Sequence, residues 1–139
     1  MTFTIEQLNN EIITGKQYKF AIPKTAEDFV EVNTQKQEIF ADEPNNIRAL
    51  IINDPDESNG TYKYFIEHSE GNRTVELSGG AYAVFTGHWK TLADLDHFIG
   101  ACYGELAQSA EYKINGTNNL QLIDFEQREI ILKLPASQH

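Results

Sequence analysis

The chain is 139 residues long, the size of one ordinary domain, and its 40% hydrophobic content with 8 Phe, 6 Tyr and 1 Trp excludes a disordered segment. Acidic residues outnumber basic ones 21 to 11, for a net charge of −10, and no two basic residues are adjacent. A nucleic-acid backbone is gripped by clustered Lys and Arg, so direct DNA or RNA binding is not expected.

Three further features bear on compartment. Met1-Thr2-Phe3-Thr4-Ile5-Glu6 has neither a basic start nor an apolar run, so no secretory signal is visible. No apolar stretch approaches the ~20 residues that cross a bilayer. Cys102 stands alone and cannot form an internal disulfide. Together these lead us to expect a cytoplasmic protein, in which the Asn-x-Thr triplets at Asn59, Asn72 and Asn115 serve as turns rather than glycosylation sites.

Taken in chain order, the pattern first predicts a strand over 12–22. A helix follows from Thr25, whose hydroxyl can cap with Asp28 three residues on; it carries Phe29, Val32, Ile39 and Phe40 and must stop near Pro44. Strands are predicted over 47–52, 62–67 and 73–77, with Asn59-Gly60 at a hairpin tip and Gly79-Gly80 at a turn. After a strand over 82–86, Thr91 and Asp94 repeat the capping pattern. Leu92, Leu95, Phe98, Ile99, Cys102, Tyr103 and Leu106 then fall on one helical stripe that should lie on a sheet. Asn115-Gly116 marks a turn, and strands over 120–123 and 130–134 close the list.

This order contains a repeat. Lys24-Thr25-Ala26-Glu27-Asp28-Phe29 matches Lys90-Thr91-Leu92-Ala93-Asp94-Leu95, and Leu50-Ile51-Ile52-Asn53-Asp54 matches Leu120-Gln121-Leu122-Ile123-Asp124. Tyr64-Phe65-Ile66-Glu67 takes the place of Ile130-Ile131-Leu132-Lys133. The expected fold is therefore α+β: one domain over 1–139, built from two strand-helix-strand-strand halves of about 1–78 and 79–139. The strands form an antiparallel sheet with both helices on one face, and a cleft opens between the halves.

Most familiar sites can be set aside. The run 54–60 looks like a calcium loop, but it lacks Gly at its sixth position and has Phe65 where the twelfth needs Glu. His68, His88, His97 and His139 have no metal-motif spacing, and no nucleophile elbow, P-loop or dinucleotide fingerprint is present. Cys102 lies on the apolar stripe and reads as a small core residue. Two features survive. Trp89, in Gly87-His88-Trp89-Lys90, either packs in the core or flanks a pocket. Gln121 is a polar residue in an apolar strand; with Leu120 and Leu122 against the helices, Gln121 and Ile123 would look into the cleft, the other option being bulk solvent.

The segment 79–135 resembles the second half of GyrI-like domains, the effector-binding domains of AraC-type regulators. Gly79-Gly80-Ala81-Tyr82-Ala83-Val84-Phe85-Thr86 is similar to the family's "G-G-x-Y-A-V-F-x-H" strand. Leu120-Gln121-Leu122-Ile123-Asp124 is similar to its "F-E-L-Y-D", and Glu129-Ile130-Ile131-Leu132-Lys133-Leu134-Pro135 to its "E-x-x-I-x-I-P". The resemblance implies a duplicated fold with a ligand cleft, in which a carboxylate pairs with cationic, often hydrophobic ligands. Gln121 stands at that carboxylate's position, and Ile123 at that of the following Tyr. A neutral amide lacks the charge that holds a cation and the proton that serves an acid or base.

The leading expectation is a free-standing, non-enzymatic, possible regulatory domain for a hydrophobic or planar small molecule, without cofactor or metal. Trp89, Gln121 and Ile123 would line the pocket from the second half, with Ile51 and Tyr64 from the first. The alternatives are an acidic module that binds a basic protein, gyrase being the family's example, and a small-molecule hydrolase using Glu67, Glu129 or His88.

Overall fold

The computed structural model describes residues 3–52 and 60–139. The would-be calcium loop and Asn59 of the hairpin tip lie outside the described residues, apart from Gly60, whose φ is +66°. Nine strands and two helices run in the order β1 (Thr4–Leu8), β2 (Glu11–Ala21), α1 (Ala26–Ala41), β3 (Asn46–Ile52), β4 (Thr61–Glu67), β5 (Arg73–Leu77), β6 (Gly80–His88), α2 (Leu92–Ala107), β7 (Tyr112–Ile114), β8 (Asn118–Asp124) and β9 (Glu129–Gln138).

All pairings are antiparallel, and the strands lie side by side as β1-β6-β9-β8-β3-β4-β2-β5, with β7 added to β9. Equating β2 with β6, β3 with β8 and β4 with β9 makes the central order β6-β9-β8-β3-β4-β2 read the same from either end. The duplication seen in the sequence is thus built into the sheet, and β3 and β8 form the seam between the two units. Across that seam Ala49 faces Gln121, and Ile51 faces Asn119. The sheet curls into a half-barrel around the two helices.

Both helices start as their sequences dictate. Thr25 Oγ1 accepts from the Asp28 amide while Asp28 Oδ2 accepts from the Thr25 amide, and Thr91 with Asp94 does the same. Each reciprocal pair satisfies two backbone donors that a helix start otherwise leaves open. The helix ends at Ala41, before Pro44.

Strand alternation sorts the apolar residues onto two faces. Ile47, Ala49, Tyr62, Tyr64, Ile66, Ile123 and Ile130 meet Val32 of α1 and Leu95 of α2, with Phe20 and Trp89 completing the cluster. Cys102 and Leu106 of α2 cover Ala83, Phe85, Leu132, Leu134 and Ala136. On the other face Leu120 packs with Ile13, Leu50, Phe65, Leu77 and Tyr82, and Leu122 leans on that cluster. This reverses one expectation: Leu120 and Leu122 do not meet the helices, and Gln121 and Ile123 do. The physical reason is the curl. Strands β2, β5 and β6 wrap round so that the back of the sheet buries apolar side chains without any helix, leaving the helix side free to hold the polar residues.

Gly15 fixes where the curl occurs. β2 pairs with β5 through Glu11–Gly15 and with β4 through Gly15–Ala21, so one residue serves both partners. A β-carbon there would lie 2.1 Å from the Ile66 carbonyl oxygen. Only glycine permits so close a backbone approach.

Candidate functional site

The helix-side face of the seam carries two buried amide side chains. Asn119 and Gln121, two residues apart on β8, are each only 2% exposed. Their amides are tied into one relay. Tyr64 donates its hydroxyl to Gln121 Oε1 at 3.4 Å, Gln121 Nε2 donates to Asn119 Oδ1 at 3.0 Å, and Asn119 Nδ2 donates to the Tyr103 hydroxyl at 3.0 Å. The relay runs from β4 of the first unit, across β8, to α2 of the second. Burial pushes both tyrosine hydroxyls above their ordinary pKa, so they remain neutral through the physiological range.

Above this floor the two helices approach each other. Asn33 Nδ2 of α1 donates to Asp96 Oδ2 of α2 at 3.1 Å. Lys36, one turn further along α1, points over aromatic faces, with Nζ 5.0 Å from the Tyr64 ring centroid and 5.8 Å from those of Tyr62 and Phe20. Burial lowers the lysine's pKa, and the nearby Asp96 carboxylate partly offsets that effect.

These side chains divide the cleft into two parts. The inner part, over Tyr64, Gln121 and Ile123, has a volume of about 10 Å³, room for about one water molecule. The outer part is a groove of about 590 Å³ whose apolar walls include Phe29, Ile51, Tyr62 and Ile99, with Asn119 and Tyr103 at its polar end. Lys36, Asp96 and Ile99 border both parts and form the partition. The groove's volume lies in the range of sites that hold drug-sized molecules.

Of the residues predicted to form one pocket, the structure brings together Tyr64, Gln121 and Ile123 in the inner part, and sets Ile51 in the outer groove. Trp89 lies elsewhere. Its indole N–H donates to the Glu129 carbonyl at 3.1 Å, Phe125 meets it edge-on at 5.4 Å, and the Arg128 guanidinium lies 5.5 Å from its ring centroid. It borders a separate hollow of about 420 Å³ with Phe40 and Leu92. Sequence reasoning missed Asn119, Tyr103, Lys36 and Asp96. Asn119 had a usable signal, since a residue two before Gln121 must share its face. The helix residues had none, because the aromatic rings under Lys36 come from β2 and β4.

The acid/base candidates do not border the groove. Glu67, paired with Arg48 at 3.0 Å, and Glu129 both border a different hollow of about 570 Å³. His88 is exposed at the end of β6, in register with Glu129. Among the described residues, no three His, Cys, Asp or Glu side chains group to share a metal ion. Among the described residues, no helix is long and apolar enough to cross a membrane.

A duplicated strand-helix-strand-strand sheet that holds two helices and a cleft on one side defines an α+β domain of GyrI-like type. The family model Cass2, described as integron-associated effector binding protein, matches residues 4–132, and the chain belongs to that family. No curated protein sequence matches the chain. Among solved structures it is similar to SAV2435 bound to tetraphenylphosphonium, with a TM-score of 0.69 at 16% identity, covering 99% of this chain and 94% of that one. A candidate bacterial transcription regulation protein from Staphylococcus aureus MU50 gives 0.65 at 15% identity, covering 97% and 99% respectively. An integron cassette protein from the mobile metagenome of Vibrio cholerae gives 0.67 at 10% identity, covering 98% and 96%.

Proposed function

We propose that this chain binds an apolar or planar small molecule as an effector, in the cleft between α1 and α2, and that its role is regulatory rather than catalytic. The observation that carries the reading is the buried amide relay that borders a largely apolar groove with Lys36 and Asp96 at its partition. Burying two amides costs free energy that a plain core avoids, and their hydrogen bonds only offset it. Asn119 borders the groove, so its remaining acceptor capacity is available to a ligand, while Tyr64 and Gln121 hold its orientation from below. Ile51, Tyr62 and Ile99 would cover the ligand's apolar faces, and Ile123 would close the inner end. Trp89 would report binding from the adjoining hollow rather than by contact. The family's description as effector binding, and the small molecule bound by SAV2435, agree with this use of the cleft.

The test is a calorimetric titration with a panel of planar aromatic compounds, repeated on Asn119→Leu and on Arg128→Ala as a control outside the groove. For any compound that binds, Asn119→Leu is expected to weaken affinity by about tenfold, the loss of one buried hydrogen bond. Arg128→Ala should leave it unchanged. Equal affinity of all three proteins would remove the groove as the site.

A further inference from the structure

Among the described residues, Lys36 is the one positive charge bordering either part of the cleft, and Asp96 is the one negative charge. The ammonium group has three aromatic rings within 6 Å, the distance at which a ring's negative face attracts a cation. An aromatic box of this kind would take an organic cation, yet here it is filled by a cation that belongs to the chain. The stem of Lys36 also belongs to the partition that closes the inner part, leaving only about 10 Å³ over Gln121. At the floor stands a neutral amide, which has no charge with which to draw a second cation past the first.

We propose that Lys36 is the specificity-determining residue of the cleft, a tethered cation that occupies the aromatic box and thereby excludes cationic ligands in favour of neutral or anionic ones. The inference rests on the small-molecule reading above and deepens it by naming the charge class of the ligand. Two effects act together. Like charges repel across the short distances of a half-buried cleft, where screening by water is weak. The box's attraction for cations is also already satisfied. Removing the ammonium would reverse the preference, because the Asp96 carboxylate would remain unopposed by Lys36 and the three rings would stand uncovered.

Size-matched ions of opposite charge test this directly. Tetraphenylborate and tetraphenylphosphonium are titrated calorimetrically into the wild-type protein, Lys36→Met, Lys36→Arg and Lys36→Met/Asp96→Asn. Met keeps the length of the stem and suits a helix, and a melting curve establishes that each variant is folded. If Lys36→Met does not fold, Lys36→Gln takes its place. The wild type is expected to prefer the borate by about tenfold or more, Lys36→Arg to keep that preference, and Lys36→Met to prefer the phosphonium. The double variant should lose most of the difference. Binding of the phosphonium to wild type as tightly as the borate, or an unchanged ratio in Lys36→Met, would overturn the role of Lys36 while leaving the cleft a binding site. Binding of neither ion to any of the four proteins would count against the cleft itself, and the inference would fall with it.

Discussion

Gln121 is held on both sides, so replacing it by Leu would strand two neighbours at once. The Tyr64 hydroxyl would lose its acceptor and Asn119 Oδ1 its donor, both in a place that water barely reaches. An unsatisfied buried polar group costs about 1–3 kcal/mol, so Gln121→Leu should destabilise the fold by roughly that amount although it adds apolar surface. Urea unfolding followed by circular dichroism measures the difference, and a variant as stable as wild type would show that the relay contributes nothing. Lys36 illustrates the opposite balance. Its pKa is lowered because burial disfavours its charge, and the rings and Asp96 compensate only in part. A residue kept at such a cost fits a role in recognition better than one in stability.

At the scale of elements, the helix starts are the most local features of the chain. Thr91→Ala would remove the acceptor for the Asp94 amide and should cost about 1 kcal/mol, as N-cap losses do. The backbone amides of Lys90 and Thr91 hold the Asp94 carboxyl below its ordinary pKa of 3.8. A depressed pKa means stability that is present above the unfolded value and lost as pH falls through the folded one. The gap between wild type and Asp94→Asn, which removes the titrating carboxylate, should therefore narrow below pH ~3.8, and thermal melts between pH 7 and 2.5 would show it; a gap that stays constant would remove Asp94 from the cap.

Both caps were legible because they depend on residues three apart. The seven strands read from alternation were legible for the same reason. β1 and β7 were not. Thr4–Leu8 is largely exposed and polar, and it is a strand only because β6 offers it a free edge far along the chain, 80 residues away at the Thr4–Val84 pair. Tyr112–Ile114 is three residues long and owes its form to β9. Alternation also showed that Gln121 and Ile123 share a face, but not which face meets the helices, because that depends on how the whole sheet curls. The partition of the cleft was illegible throughout: Lys36, Asp96 and the rings beneath them come from four separate elements.

Over the whole molecule, buried acids of high pKa make the fold sensitive to alkali. Burial pushes the Cys102 thiol from 9.0 up to about 12, and Tyr62 and Tyr64 rise well above their ordinary 10.0. For a raised pKa the contribution to stability is complete below the unfolded value and is lost as pH rises toward the folded one. Lys36 acts in the other direction, since loss of its proton relieves its burial, but it is one group against several. The melting temperature should therefore begin to fall near pH 9 and drop faster above 10, and Cys102→Ala should delay the onset toward 10. A melting temperature level up to pH 11 would contradict the assignment of these groups to the core.

The position of β9 has a consequence for how the chain is made. Glu129–Gln138 lies between β6 and β8, which were completed some forty and five residues before it begins. Until the ribosome releases this stretch, the nascent protein carries two open strand margins facing an unfilled slot, the sort of template that captures other chains. The half-barrel cannot close before β9 has been made, so synthesis itself, and not just the finished fold, favours a slot that no foreign strand fits as well as β9.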